Sequence, residues 1–453
     1  MTAATLTAPV VAASRPVPAR RGYRFELVKL LAQWRIRLLL LGCWVGPAGF
    51  VAVVSQQSSL PSDTVFGRWM GQTGWAGSLV VLSFCCSWVL PFLTSLVAGD
   101  VFAVEDRLGT WRHLLVAVRS PRRIFVAKAL ASLTVIGVLV VGLTGSSILG
   151  GLAAVGDRPL IGLDGQSMSG GAAAGAVLLA WLAALGPTLT FAAVGLLGSV
   201  ALGRSPMGLL APAVLGLLLQ LAQMLPMPAI ARAALPSYAF LSWRGLFTES
   251  VQVRTIVVSV LVSLVWAAVA TALAYLIFIR RNFTDVGYDG AGRRLVLQAG
   301  VPFVALLLVG GAAVAAATPV SGSGIDRVKV ERSLATVYAH LYRLQAHQLH
   351  RPDVTEHQLR SSASCDKGGS LVADAGPGND WRCVVTWHIP DAVATGSAIY
   401  QLDVTADGRY VADGDGPQSV NGFFQVRTPT GDAPNPLWQF DGAVDLLSGT
   451  LKG

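Results

Sequence analysis

The residues best suited to polar chemistry lie together between two long apolar runs. Asp100 to Lys128 reads DVFAVEDRLGTWRHLLVAVRSPRRIFVAK and holds six Lys/Arg and three Asp/Glu. No other stretch between the apolar runs holds as many charged residues. The order is Glu105, Asp106 and Arg107, then Gly109, Thr110, Trp111 and Arg112, then Arg122 and Arg123, and finally Lys128 opening the next apolar run. The first group predicts a short amphipathic helix. Glu105, Asp106, Arg107 and Arg112 offer polar contacts, Gly109 permits close approach, and Trp111 and Leu114 pack. Arg122, Arg123 and Lys128 are expected at lipid head groups. Such a stretch marks where an apolar body meets something water-soluble.

Other reactive groups are sparse. Inside the apolar runs, Gln220 and Gln223 on one run and Thr188 and Thr190 on another could touch a substrate or bond a neighbouring helix. Asp, Glu, Lys, Arg and His are missing from the apolar cores, which argues against an ion-coupled carrier. It disfavours an intramembrane enzyme too. The chain contains no G-x-x-x-x-G-K-[ST] phosphate loop, so no nucleotide hydrolysis is expected in it. Ser169-Gly170-Gly171 and Leu447-Ser448-Gly449 match only part of a nucleotide-binding signature. Five of six histidines lie beyond residue 319, and His340, His347 and His350 are read as a solvated helix face, with no metal site expected. Cys365 and Cys383, 18 apart in the polar C-terminal region, are expected to form one disulfide.

The elements that position these groups follow from composition. The 453 residues are 53% hydrophobic and 13% charged, with mean hydropathy +0.58, against about 25% charged in soluble proteins. Integral membrane character follows. The +9 net charge is unevenly placed: residues 1–318 carry +13 and 319–453 carry −4. Membrane topology and lipid head groups explain that asymmetry, so no nucleic-acid partner is expected. Seven runs have the roughly 20 residues needed to cross the hydrocarbon: 38–54, 76–98, 129–155, 171–202, 207–230, 255–279 and 295–317. The Lys/Arg bias of the loops places the N-terminus in the cytoplasm and the C-terminus outside. Residues 1–37 read as a cytoplasmic tail followed by an amphipathic stretch, either an interfacial helix or the basic flank of the first span. A G-x-x-x-G step at Gly171 and Gly175 would permit close helix packing. The loop 226–254 is half-apolar and rich in Pro, suiting either a re-entrant pair or a surface loop.

Residues 282–318 form a linker and the seventh span, and 319–453 an extracytoplasmic domain. There, Leu334, Val337, Tyr338, Leu341 and Leu344 predict one amphipathic helix over 325–350. Strand-like runs follow at 381–389, 398–404, 410–412 and 422–427, with a hairpin signal at Asp407-Gly408. One helix on a small antiparallel sheet is an α+β module.

The layout of Glu105, Gly109-Thr110, Ser120-Pro121-Arg122 and Lys128 resembles the cytoplasmic loop of type-2 ABC (ATP-binding cassette) exporter permeases. The resemblance covers about the first 280 residues. It implies a polytopic α-helical membrane protein with a six-span permease core over 38–281, coupling loop 100–128 and re-entrant loop 226–254. It implies export of an amphipathic substrate such as a lipid, drug-like molecule, glycolipid or peptide. ATP and Mg would be held by a separate cytoplasmic ATPase docked around Glu105. A second permease, the same or related, would complete the bacterial plasma-membrane complex, with membrane lipids around it and an extracytoplasmic partner open to the C-terminal domain. The alternative is a membrane-anchored sensor or accessory protein whose working part is the outer domain.

Overall fold

The computed structural model describes residues 18–57, 73–202 except 119, 207–281 except 224 and 226, and 322–448 except 370–371, 391–394 and 430, with 70, 283, 308, 311–312, 315–316 and 320. The chain folds as a helical body followed by a C-terminal sheet domain. Among the described residues, five helices are long and apolar enough to cross a membrane: Trp34–Ser55, Gly74–Leu108, Pro121–Ala154, Gly170–Ala201 and Val253–Arg280. The fifth apolar run forms a shorter helix, Met207–Gln223, and the seventh lies outside the described residues apart from isolated positions.

In chain order the body comprises α1 (Ala19–Leu31), α2 (Trp34–Ser55), α3 (Gly74–Phe84), α4 (Leu90–Ala98), α5 (Ala103–Leu108), α6 (Trp111–Val118), α7 (Pro121–Ala154), α8 (Gly170–Ala201), α9 (Met207–Gln223), α10 (Ala229–Ala233), α11 (Pro236–Ala239) and α12 (Val253–Arg280). Between α7 and α8 a short antiparallel pair forms, β1 (Leu160–Ile161) and β2 (Ser167–Met168). A π-helical turn, Cys85–Val89, joins α3 to α4. Pro91 follows that turn; it has no N–H to donate, and wider i→i+5 bonding accommodates the missing bond. Helix α7 gathers α1, α2 and α3, whereas α8 gathers α4, α9 and α12.

Apolar surface alone cannot hold such helices together in lipid, so close approach and polar bonds must contribute. At the α3/α7 crossing a Cβ on Gly74 would lie 2.6 Å from the Gly151 carbonyl carbon, so only glycine fits. Nearby, Ser78 Oγ meets Ser147 Oγ at 2.9 Å and accepts from Trp181 Nε1 at 3.0 Å, tying α3, α7 and α8. The Gly171/Gly175 step, expected to pack closely, instead meets nothing within 4 Å. It lies on the outward face of α8. Leu41, Trp88, Val141, Leu182 and Leu261 also stay exposed, as lipid-facing positions should.

The loop 226–254 forms α10, α11 and a 3₁₀ turn, Ser242–Leu246. Tyr238, Trp243 and Phe247 are buried, and Trp266 of α12 donates to the Ala234 carbonyl at 3.1 Å. This arrangement is a packed plug.

The C-terminal domain places α13 (Arg327–Gln348) against a five-stranded antiparallel sheet of β3 (Ser362–Lys367), β4 (Gly378–His388), β5 (Thr395–Val404), β6 (Arg409–Gly414) and β9 (Gln439–Ala443), in that order. Asp326 caps α13 by accepting from the Lys329 amide at 2.9 Å. The α13 face made by Val330, Leu334, Val337, Tyr338 and Leu341 is buried. Cys365 and Cys383 are bonded across β3 and β4 as direct register partners. Two strands of the main sheet, β3 and β9, escape the sequence reading, as do β8 (Gly431–Pro434) and the short pair β1 and β2. The run expected at 422–427 becomes β7 (Gln425–Thr428), which pairs with β8 in a separate hairpin rather than joining the main sheet. Ala229, Ala233 and Tyr238 share the C-terminal domain's apolar core, so plug and domain pack as one unit.

Candidate functional site

The charged stretch 100–128 folds as α5, a left-handed turn, α6 and the start of α7. Gly109 ends α5 with φ +65°, the left-handed cap position that glycine fills without steric cost. Its amide and that of Thr110 return to the Asp106 and Glu105 carbonyls at 3.4 and 3.1 Å. Ser120 precedes Pro121 at the first position of α7, so Arg122, Arg123 and Lys128 all lie on that helix.

Glu105 is fully buried. It accepts from Lys128 Nζ at 2.7 Å, and from Lys29 of α1 and the Thr110 hydroxyl. Lys128 also donates to Glu26 of α1 at 3.0 Å and to the Val101 carbonyl at 3.3 Å. With 1% of its surface exposed, Lys128 cannot reach the head groups expected for it; two carboxylates hold it inside the body. Asp106, also buried, accepts from Trp111 Nε1 at 2.7 Å and Arg281 Nη1 at 2.8 Å. Asp100 binds Arg35 of α2 at 2.5 Å and Arg107 at 2.9 Å.

An aromatic cluster fills the space beside these pairs. Phe102 lies 5.3 Å from Phe125 and 5.1 Å from Phe278, and Trp111 lies 5.4 Å from Phe278. The Arg281 guanidinium sits 5.9 Å over the Trp111 ring. Ser199 of α8 accepts from the Phe102 and Ala103 amides at 2.9 and 3.0 Å. Segments α1, α2, α5, α7 and α8 and the end of α12 therefore meet in one knot. Removing one partner of a buried pair strands a charge, at a cost of about 3–5 kcal/mol.

The expected contact residues thus divide in two. Glu105, Asp106 and Trp111 are internal, whereas Arg107, Gly109 and Arg112 remain exposed and Thr110 is half-buried. Leu108 and His113 join the exposed surface. Arg122 and Arg123 are exposed. Sequence reasoning missed Glu26, Lys29, Arg35, Ser199 and Arg281. The available signal was a carboxylate and an ammonium three residues apart in the otherwise apolar stretch 25–31 of α1.

The residues proposed along a path do not converge. Thr188 donates to the Ala184 carbonyl of its own helix at 2.7 Å, and Thr190 to the Ser263 carbonyl of α12 at 2.8 Å. Gln220 is half-buried, and Gln223 is buried beneath Arg232, which donates to its carbonyl at 2.6 Å.

At the far end of α12, a second junction joins the plug to the C-terminal domain. Arg244 donates to Asp407 at 2.8 Å, and Thr255 to Asp445 at 3.1 Å. Burial pushes the Asp407 carboxyl up, but Arg244, the Thr405 hydroxyl and Arg409 outweigh it and hold the group below its ordinary value.

No family model and no curated protein matches this chain.

Proposed function

We propose that this chain is the permease subunit of an ATP-driven exporter of the type-2 ABC class, powered by a separate ATPase docked on the elbow around Glu105. The observation that carries the reading is the division of labour at that elbow. Exposed Arg107, Leu108, Gly109 and Arg112 present a docking surface, while buried Glu105, Asp106 and Lys128 fasten that surface to α1, α7 and the end of α12. A push on such a surface is delivered to the whole bundle at once.

In this reading the elbow faces the cytoplasm of a bacterial cell, the outer domain lies outside, and the segment 295–317 is a seventh span after a six-span core. A second permease, identical or related, completes the complex. The cargo is amphipathic, in keeping with few polar groups in the bundle. The ATPase supplies the nucleotide site and Mg; this chain's residues receive and spread the displacement.

Co-purification tests the reading in two parts. Arg112→Glu with Leu108→Glu should abolish recovery of the ATPase, because both side chains are on the surface. Glu105→Gln should leave the ATPase bound and uncouple its hydrolysis from cargo. An ATPase that stays bound to the double surface variant contradicts the docking site.

The alternative, a membrane-anchored sensor or accessory protein, gains from the shared core of plug and outer domain. It predicts that deleting the outer domain removes all activity while no ATPase is ever recovered.

A further inference from the structure

The geometry points to a metal site at the junction between body and outer domain: we propose that Glu249, His340 and Glu356 bind a divalent transition metal of the zinc class. This inference does not depend on the exporter reading. His340, expected on a solvated helix face, is 5% exposed. Its Nδ1 lies 2.7 Å from the Asp164 carbonyl oxygen, which can only accept, so Nδ1 carries the proton. In the neutral ring Nε2 then keeps its lone pair, and a backbone-anchored Nδ1–H is the usual support of a metal-binding imidazole.

That nitrogen faces two carboxylates from different parts of the fold. Glu356 Oε2, from the short helix Glu356–Leu359, is 3.1 Å from Nε2, and Glu249 Oε2, from the loop before α12, is 3.5 Å away. All three ligand atoms lie within 4.8 Å of one another. Ligands about 2.0–2.1 Å from a tetrahedral zinc stand about 3.3 Å apart, a spacing that the two measured distances bracket. Arg343 holds the other oxygen of Glu356 at 2.9 Å, fixing the carboxylate with Oε2 turned to the histidine. The Glu249 amide donates to Asp164, so the residue that orients His340 also sets the loop carrying Glu249.

One imidazole and two carboxylates around a dication with a neutral histidine give a site of zero net charge. Imidazole favours zinc, copper, iron or nickel over calcium and magnesium, whose sites are built from oxygens. The cluster opens into a cleft lined by Glu331, Arg332 and His357, which gives an ion access. A fourth position remains for water. Bound metal would staple the loop leading into α12 to the outer domain.

The test uses the full chain, free of affinity histidines, in nanodiscs at neutral pH with zinc chloride. Equilibrium dialysis with elemental analysis should find one zinc per chain, and titration calorimetry of Glu249→Gln should show affinity at least about 10-fold weaker. His347→Gln, on the same helix outside the cluster, should bind as the parent does. Zinc should also slow hydrogen exchange over 244–252 and 340–357 in the parent chain and not in Glu249→Gln. Glu249 is about half exposed (49%), so this variant tests the site even where His340→Gln misfolds. Equal affinity in the parent and Glu249→Gln, or no zinc-dependent protection, would overturn the proposal; the histidine would then be held by a proton between the carboxylates.

Discussion

The two ends of α12 handle charge in opposite ways. At the elbow, Glu105, Asp106, Lys128 and Arg281 have side chains at most 4% exposed, and each cation is met by a carboxylate from another segment. At the seat where α12 meets the C-terminal domain the partners are fewer and wetter: Arg244 with Asp407 at 23% and 20% exposure, and a histidine between carboxylates at 49% and 31%. Interlocked buried pairs resist separation, since parting any one strands its neighbours. Half-exposed pairs can open and re-form, because water compensates. In the proposed exporter the elbow transmits displacement and the seat yields to it, with α12, about 42 Å long at 1.5 Å per residue, as the rod between them.

The largest expected effect is at the elbow. Lys128→Met leaves Glu26 and Glu105 buried without their shared cation and should cost about 3–5 kcal/mol, read as a lowered unfolding midpoint in detergent. Adding Glu26→Gln and Glu105→Gln to that variant should recover part of the loss. Full stability of Lys128→Met alone would mean that the knot does not hold the body.

Next is the outer domain by itself. Cys365→Ser with Cys383→Ser should cost about 2–5 kcal/mol and expose the domain to protease, while the helical body keeps its midpoint. Loss of both together would show that domain and body unfold as one unit.

At the seat, Arg244→Ala should cost about 1–3 kcal/mol by leaving Asp407 without its guanidinium, measured as faster hydrogen exchange over 405–409. The pH dependence has a definite sign. Because the folded Asp407 carboxyl lies below its ordinary value, its contribution is complete above about pH 4 and is lost as pH falls through the folded value. Exchange over 405–409 should quicken only in that acid range, and Asp407→Asn should remove the dependence. The smallest effect belongs to Thr190→Val, a single interhelical bond worth about 0.6 kcal/mol.

Much of this difference was hidden from the sequence. The apolar helices were legible because spanning requires a long unbroken run, and α13 because its buried residues recur at helical spacing. The elbow's position was legible from its nine charged residues between two apolar runs. Its burial was not: Lys128 meets Glu26 from 102 residues away and Asp106 meets Arg281 from 175 away, and local spacing says nothing of such pairs. His340 read as solvated because it lacks apolar character; a backbone carbonyl at Asp164, which carries no sequence signal, is what covers it. Strand β3 (SASCDK) is short and mostly polar, with only Cys365 and Lys367 buried, so it gave no apolar alternation.

The central claim is that a separate ATPase drives the body through the exposed side of the elbow. A photo-crosslinking residue placed at Leu108, and a control at Arg382 on the outer domain, would address it in living cells; these positions are 65% and 67% exposed. The account predicts a nucleotide-hydrolysing protein captured at 108 and never at 382. Reaction of a cysteine at 108 with a membrane-impermeant thiol reagent in intact cells, or capture of the same ATPase from both positions, would contradict it.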